Sequence, residues 1–304
     1  MKIVRAGFEV YDPTDQQING RAVERAEMGA RLCYKSEAGA AEGGAADFVK
    51  KVAKRGHGSV LEHGPVYFYF LDISRMAESE HPELMAVYHS RFTLREVLHA
   101  YTNLRVIHDC YPPLFEAIIR DQPLGEFGVR YFTPTVDDPH RAVSVLFTID
   151  RGVSHEMVRN RGAWPGNAFS QVSTRYVNYS KDRFGKEITF VDPLFWMPKP
   201  EDTAQVIASE MAKYSQWQAA MESAEETYMS LIEQGASPQE ARSVLPNSTM
   251  TQVLMTSSLE GWREFLRLRA DAPAHPQMRE VAVPLLQWFQ QNVSAQYFDL
   301  NIKI

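Results

Sequence analysis

A chain of 304 residues, 44% hydrophobic and 23% charged, has the composition of a globular protein and the length for one large domain or two modest ones, which sets disordered and fibrous classes aside. Its formal net charge of −6 gives no general attraction to nucleic acid, and no Lys/Arg run forms a basic tail, so no polynucleotide partner is expected. No apolar run approaches the roughly 20 residues that cross a bilayer, and the start MKIVRAGFEV lacks the apolar core of a signal peptide, so the expectation is a cytoplasmic protein with no membrane partner.

Taken in order, KIVRAGFEVY at 2–11 reads as a first strand, closed by Asp12-Pro13, and 20–36 as a helix with Ala22, Ala26, Met28 and Leu32 on its apolar face. A glycine- and alanine-rich surface connection at 39–46 leads to a short helix that stops at Gly56. The polar turn holding His57, Ser59, Glu62 and His63 enters a buried strand at Val66–Leu71. Two histidines and a glutamate invite a metal reading, but no HExxH pair or third ligand supports it, so no metal site is expected. From 82 to 127 the pattern is mostly helical, with Leu94, Val97, Leu98, Tyr101, Leu104 and Ile107 or His108 in a stripe at helical spacing. Ala142 to Ile149, a short continuous apolar run, is expected to be a central strand.

The segment 151–179 is too polar for a core and too structured for a linker. It holds Arg151, Arg159, Arg161 and Arg175, and arginines converging on a loop commonly meet a phosphate or carboxylate, because the planar guanidinium grips such an anion with paired hydrogen bonds. Ser154 is the predicted cap of a short helix carrying Arg159 and Arg161. On that helix the two arginines lie about 200° apart and serve different ligands or subunits, unless the backbone unwinds there. The turn 164–167 breaks regular structure, and Gln171 to Val177 resumes as extended chain with Ser173 and Arg175 on one face.

A strand at 187–191 follows, then a long helix at 203–233 ended by Gly235, and a turn where Ser237, Pro238 and Glu240 agree on a helix start. Val253 to Met255 reads as a short strand. Next, Leu259, Trp262, Leu266 and Arg269 share one helical face, so Arg269 needs a carboxylate partner or an anionic ligand. Arg263 and Arg267 face solvent, and a last helix spans about 276–292.

Four segments, GHGSVLEH at 56–63, RNRGAWPGNAFSQVSTRY at 159–176, ARSVLP at 241–246 and SLEGWREFLRLRAD at 258–271, together resemble the flavin-dependent thymidylate synthases, whose signature is RHRxxSxNExSxRY. The resemblance implies a single α+β domain over 1–304, with a central, mostly antiparallel sheet packed with long helices and a helical insertion at 82–127. It further implies a homotetramer that methylates C5 of a uridine monophosphate at subunit interfaces, using FAD, NADPH and methylenetetrahydrofolate. The nucleotide residues it implies are Glu156, Arg159, Gln171, Val172, Ser173, Thr174, Arg175, Arg242 and Arg269, of which Ser173, Arg175 and Arg269 are the catalytic candidates. The flavin residues it implies are Ser59, His63, Arg159, Asn160, Arg161, Gln171, Ser258 and Glu264. Such a route needs no thiolate nucleophile, in keeping with Cys33 and Cys110, neither of which has an activating neighbour.

The chain also departs from that family. Asn160 replaces the motif histidine, Gln171 its glutamate and Ala168 its first serine, while Ser258 and Glu260 stand where some members contact flavin. The second arginine and the serine of SxRY lie 12 positions apart instead of eight, a four-residue extension around 164–167. These changes suggest an altered choice between dUMP and UMP. A non-catalytic nucleotide or flavin sensor, and a metal-dependent hydrolase using His57, Glu62 and His63, are the alternatives.

Overall fold

The computed structural model describes residues 1–11, 22–36, 44–70, 91–94, 98–160 and 166–303. The first apolar stretch is two strands, β1 (Lys2–Val4) and β2 (Gly7–Tyr11), which join different sheets. Helix α1 (Ala22–Tyr34) buries Ala22, Ala26, Ala30 and Leu32. Helix α2 (Ala45–Lys54) stops before Gly56, whose φ of +77° suits glycine. A 3-10 turn over Gly58–His63 leads into β3 (Pro65–Phe70), buried at every position but Tyr69, as its unbroken apolar run requires.

Of the helical reading of 82–127, residues 82–90 and 95–97 lie outside the described residues, and it fails at 91–94 and 98–103. These form two antiparallel strands, β4 (Arg91–Leu94) and β5 (Leu98–Asn103), with β5 paired to β3 from Asn103 opposite Pro65 to His99 opposite Tyr69. Aromatic cross-strand packing decides against the helix: the Tyr101 ring lies 5.9 Å from Tyr67 and 5.3 Å from Phe132, contacts a helix at this place would lose. Helix begins only at α3 (Leu104–Cys110), where the Asn103 side chain accepts from the Val106 amide at 3.1 Å, and continues in α4 (Pro112–Ile119), with proline in its first turn.

The rest of the chain runs through β6 (Val129–Tyr131), β7 (Ala142–Asp150), α5 (Arg151–Met157), β8 (Ala168–Gln171) and β9 (Thr189–Val191). Then come α6 (Ala204–Glu233), α7 (Pro238–Ala241), β10 (Met250–Ser258), α8 (Leu259–Arg269) and α9 (Pro276–Asn292). Thr203 caps α6, Gly235 at φ +93° ends it, and the Glu240 carboxylate accepts from the Ser237 amide at 2.8 Å, as the sequence at 235–240 demands. The predicted short strand at 253–255 is nine residues long, because β10 pairs with β7 over its whole length.

The fold is α+β, with the expected central sheet divided in two. One antiparallel sheet has the order β2-β7-β10-β8, the other β4-β5-β3-β6, and β1 pairs with β9 in parallel. Strands β7 and β10 are covered on both faces. Val145, Phe147, Val253 and Met255 pack against Trp262 and Phe265 of α8 and Phe289 of α9, while Leu254 packs the opposite way with Phe190 and with Met221 and Tyr228 of α6. Each such large side chain contributes about 1.5–3 kcal/mol on burial. This doubly covered pair is the rigid base from which α5 and β8 carry the polar segment.

Candidate functional site

Helix α5 leaves the end of β7 and is capped by Asp150, whose carboxylate accepts from the Val153 amide at 2.6 Å. Ser154, the predicted cap, lies inside the helix, where its hydroxyl donates to the Arg151 carbonyl at 2.8 Å. Asp150 wins because it is the last residue with strand geometry before the helical turn begins. The helix ends at Met157, so the unwound alternative holds at 158–160: Arg159 is exposed on the chain that leaves α5, and Asn160 is buried. Arg161 and the turn residues 162–165 lie outside the described residues.

Strand β8 also ends earlier than predicted. Beyond Gln171 the chain turns: the Ser173 amide donates to the Cys33 carbonyl at 3.0 Å, and the Val177 amide returns to the Ser173 carbonyl at 3.1 Å. Ser173 and Arg175 are therefore neighbours in a turn, joined by an Arg175 amide to Ser173 Oγ bond of 3.3 Å, and not residues on one strand face. Docking of this turn on α1 and on the segment after α6 supplies bonds that an edge strand would lack.

This turn meets a distant part of the chain. Arg175 Nε donates to Gln239 Oε1 at 2.9 Å, and Arg242 Nη1 to Thr174 Oγ1 at 3.4 Å. Arg175 and Arg242 are exposed, Thr174 and Val172 buried. Arg151, at the start of α5, is half-buried, and its Nη1 is buried without a hydrogen-bond partner among the described residues. Burial holds the Arg151 guanidinium below its ordinary range, the Tyr179 hydroxyl opposes that, and the charge of Arg242 adds to it. Arg151 is named among the arginines of 151–179 without a nucleotide or flavin role, and Gln239 is absent from the sequence-derived residues. The arginine-rich composition of 151–175 pointed towards the first, but no local signal brings residue 239 to residue 175.

A second group lies at the other end of α5. Arg269 Nη2 donates to the Glu156 carbonyl at 2.6 Å and Nη1 is 3.8 Å from the Glu156 carboxylate, so the expected carboxylate partner is present. Arg269 Nε is buried without a partner among the described residues. Leu259, Trp262 and Leu266 on the same face of α8 are fully buried, whereas the Arg269 side chain keeps 21% of its exposure. Gln171 joins this group from β8 by donating to Ser154 Oγ at 2.9 Å and to Thr251 Oγ1 at 3.2 Å.

The residues assigned to flavin divide between surface and interior. His63 is fully buried, bonded to Thr256 Oγ1 at 2.8 Å and Ser170 Oγ at 3.0 Å, with Ser144 Oγ 2.7 Å beyond Thr256. Burial first, and then the charge of Arg25, push its pKa down to about 3, so the ring is neutral and one nitrogen donates while the other accepts. It ties the 3-10 turn to β7, β8 and β10. Ser258 is buried and caps α8 by accepting from the Gly261 amide at 3.1 Å. Asn160 accepts from Asn167 Nδ2 through its carbonyl and its side chain, at 3.2 and 3.1 Å. Ser59 is exposed and Glu264 partly so.

Beside these residues opens a small cleft of about 50 Å³, lined among others by Tyr67, Tyr101, His140, Asn167, Ala168 and Ser257. Asn167 Oδ1 and Ser257 Oγ are buried there without hydrogen-bond partners among the described residues. Ala168, one of the departures from the motif, faces this cleft. The three residues of the hydrolase alternative do not converge: Glu62 is ion-paired with Arg105, His57 is exposed and His63 is enclosed. Among the described residues no helix is long and apolar enough to cross a membrane.

Residues 18–106 and 139–293 match the family described as thymidylate synthase complementing protein, and both polar groups lie within the matched segments. The chain belongs to this family. Similar proteins include flavin-dependent thymidylate synthases from Corynebacterium aurimucosum, 31% identical over 51% of this chain and 59% of the relative, and from Mycobacterium tuberculosis, 30% identical over 54% and 63%. A third, from Mycobacterium avium, is 28% identical over 54% of this chain and 63% of the relative. The chain thus spans about three fifths of the length of these relatives. Between the two matched segments of the family lie α4 and β6.

Proposed function

We propose that this chain methylates C5 of a uridine monophosphate, dUMP or UMP, with FAD as cofactor, methylenetetrahydrofolate as carbon donor and NADPH as reductant. The observation that carries the reading is the meeting of the 173–175 turn with the 239–242 segment, which bonds Arg175 to Gln239 and Arg242 to Thr174, the residue before Arg175. Two guanidiniums and a hydroxyl in an acidic protein suit a phosphate monoester. Arg269, steadied by Glu156, has its Nε free to donate to a carbonyl of the pyrimidine, and Gln171 is held beside it by Ser154 and Thr251. Their task is to orient the base relative to the cofactor.

The walls of the cleft suit the edge of a flat polar ring: Tyr67 and Tyr101 are aromatic, and Asn167 Oδ1 and Ser257 Oγ are buried polar atoms without partners among the described residues. These residues would hold the flavin, which when bound supplies the redox step of the methylation. No protein thiolate is then required. Cys33, next to the nucleotide turn, has its pKa raised by burial, in keeping with that chemistry. Ser59, Arg159 and Glu264 do not line the cleft; the proposed assembly is a homotetramer with flavin sites shared between subunits.

The purified protein should be yellow, or become so with FAD, and should form methylated product from dUMP or UMP when given methylenetetrahydrofolate and NADPH. A colourless protein that takes up no FAD and leaves both uridylates unchanged refutes the synthase reading. The product ratio from equal concentrations of dUMP and UMP tests the altered substrate choice separately.

A further inference from the structure

We propose that Arg151 is a further phosphate ligand, closing on the nucleotide from the protein side while Arg242 closes from the solvent side; this rests on the nucleotide-binding reading above. Among the described residues its buried Nη1 has no acceptor, and no carboxylate lies within ion-pair distance of Arg151 or Arg242. Besides the Tyr179 hydroxyl, the charged group that bears on Arg151 is another cation, Arg242, whose side chain donates to the neutral Thr174 hydroxyl.

An arginine held this way is disfavoured twice, by desolvation and by like charge, and the fold could avoid both with an apolar residue of similar length. Its backbone is pinned: the Arg151 amide donates to the carbonyls of Asn247 at 2.9 Å and Thr249 at 3.1 Å, so the side chain springs from a fixed point. Every other polar group of α5 discussed above has a partner in the protein. Asp150 holds Val153, Ser154 holds Arg151 and Gln171, and Glu156 holds Arg269. A dianion reaching both Arg151 and Arg242 satisfies the two guanidiniums together, and the phosphate of a nucleoside monophosphate carries close to two charges at neutral pH. Arg151 therefore sets a preference for phosphorylated over unphosphorylated nucleosides.

The test uses thermal unfolding and direct binding with the full chain, comparing wild type with Arg151→Met, Arg151→Lys and Arg242→Met against dUMP, inorganic phosphate and deoxyuridine. Arg151→Met is expected to weaken dUMP binding roughly 10- to 100-fold, to lose the melting shift caused by phosphate, and to leave the affinity for deoxyuridine at the wild-type value. Without ligand its melting temperature should equal or exceed that of the wild type, which a structural arginine would not allow. Arg151→Lys, which keeps the charge but not the fork, should fall between the two. Unchanged dUMP affinity in both Arg151 variants, with Arg242→Met impaired, overturns the role of Arg151 and leaves the synthase reading standing. A wild-type protein that binds neither dUMP nor phosphate overturns both.

Discussion

Two polar clusters flank β8, and they differ in whether the protein satisfies them. His63, Ser170, Thr256 and Ser144 are all buried and bond one to the next, so every ring nitrogen and hydroxyl in the row has a partner in the chain. Past the other end of the strand, Arg242 reaches Thr174, the neighbour of Arg175, and the charge of Arg242 bears on Arg151. Among the described residues no carboxylate pairs with these arginines, and one guanidinium nitrogen, Arg151 Nη1, is buried without a partner. The sequence motif contains members of both clusters and does not distinguish them. Hydrogen-bond accounting does: a satisfied buried network holds elements together, whereas cations gathered without an anion are poised for one.

The largest expected effect breaks the first cluster. His63→Ala leaves two buried hydroxyls short of a partner and opens a cavity, and should lower the unfolding free energy by about 2–5 kcal/mol in urea denaturation; a loss under about 1 kcal/mol would mean that the network does not bind the 3-10 turn to the sheet. In the second cluster the effect should appear in binding. Arg242→Ala should weaken dUMP binding by roughly 10- to 100-fold, with unfolding free energy unchanged within about 0.5 kcal/mol because the residue is exposed. The reverse pattern, stability lost and affinity kept, would merge the two clusters into one structural role.

Titration sharpens the contrast further. His63 has a folded pKa of about 3 against an ordinary 6.5, so below pH 6.5 the unfolded chain binds a proton that the folded chain refuses. Its contribution is fully present above pH 6.5 and declines as pH falls towards 3, with a slope approaching about 1.4 kcal/mol per pH unit. His63→Asn should remove that slope from the stability curve; an identical acid profile in wild type and variant would contradict the buried neutral ring. The smallest effect is expected at Ser258→Ala, which removes the cap of α8 at a cost of about 1 kcal/mol and should leave dUMP affinity untouched.

Much of the scaffold was legible in the chain. The apolar run 142–149, the spacing of Leu259, Trp262 and Leu266, and the agreement of Ser237, Pro238 and Glu240 each led to the element observed. The errors share a cause. Residues 94–108 repeat at helical spacing, but part of that repeat belongs to β5, where pairing with β3 and the contacts of Tyr101 outweigh a weak local preference. Ser154 and Asp150 are both competent caps, and only the end of β7 decides between them.

The candidate site follows the same division. Residue types and order alone supplied the arginines, the SxRY motif and the family to which the chain belongs, because guanidinium chemistry and motif spacing are local properties. Arg269 was expected to need a carboxylate or an anion, and the physics of a buried charge was enough for that. That Glu156 is its partner, that Gln239 and Arg242 come to the 173–175 turn, that His63 faces inward, and that Arg151 Nη1 has no acceptor among the described residues were decided by tertiary structure. Each depends on which segments meet across long stretches of chain, and the packing of α6, α8 and α9 on the β7–β10 pair determines that meeting.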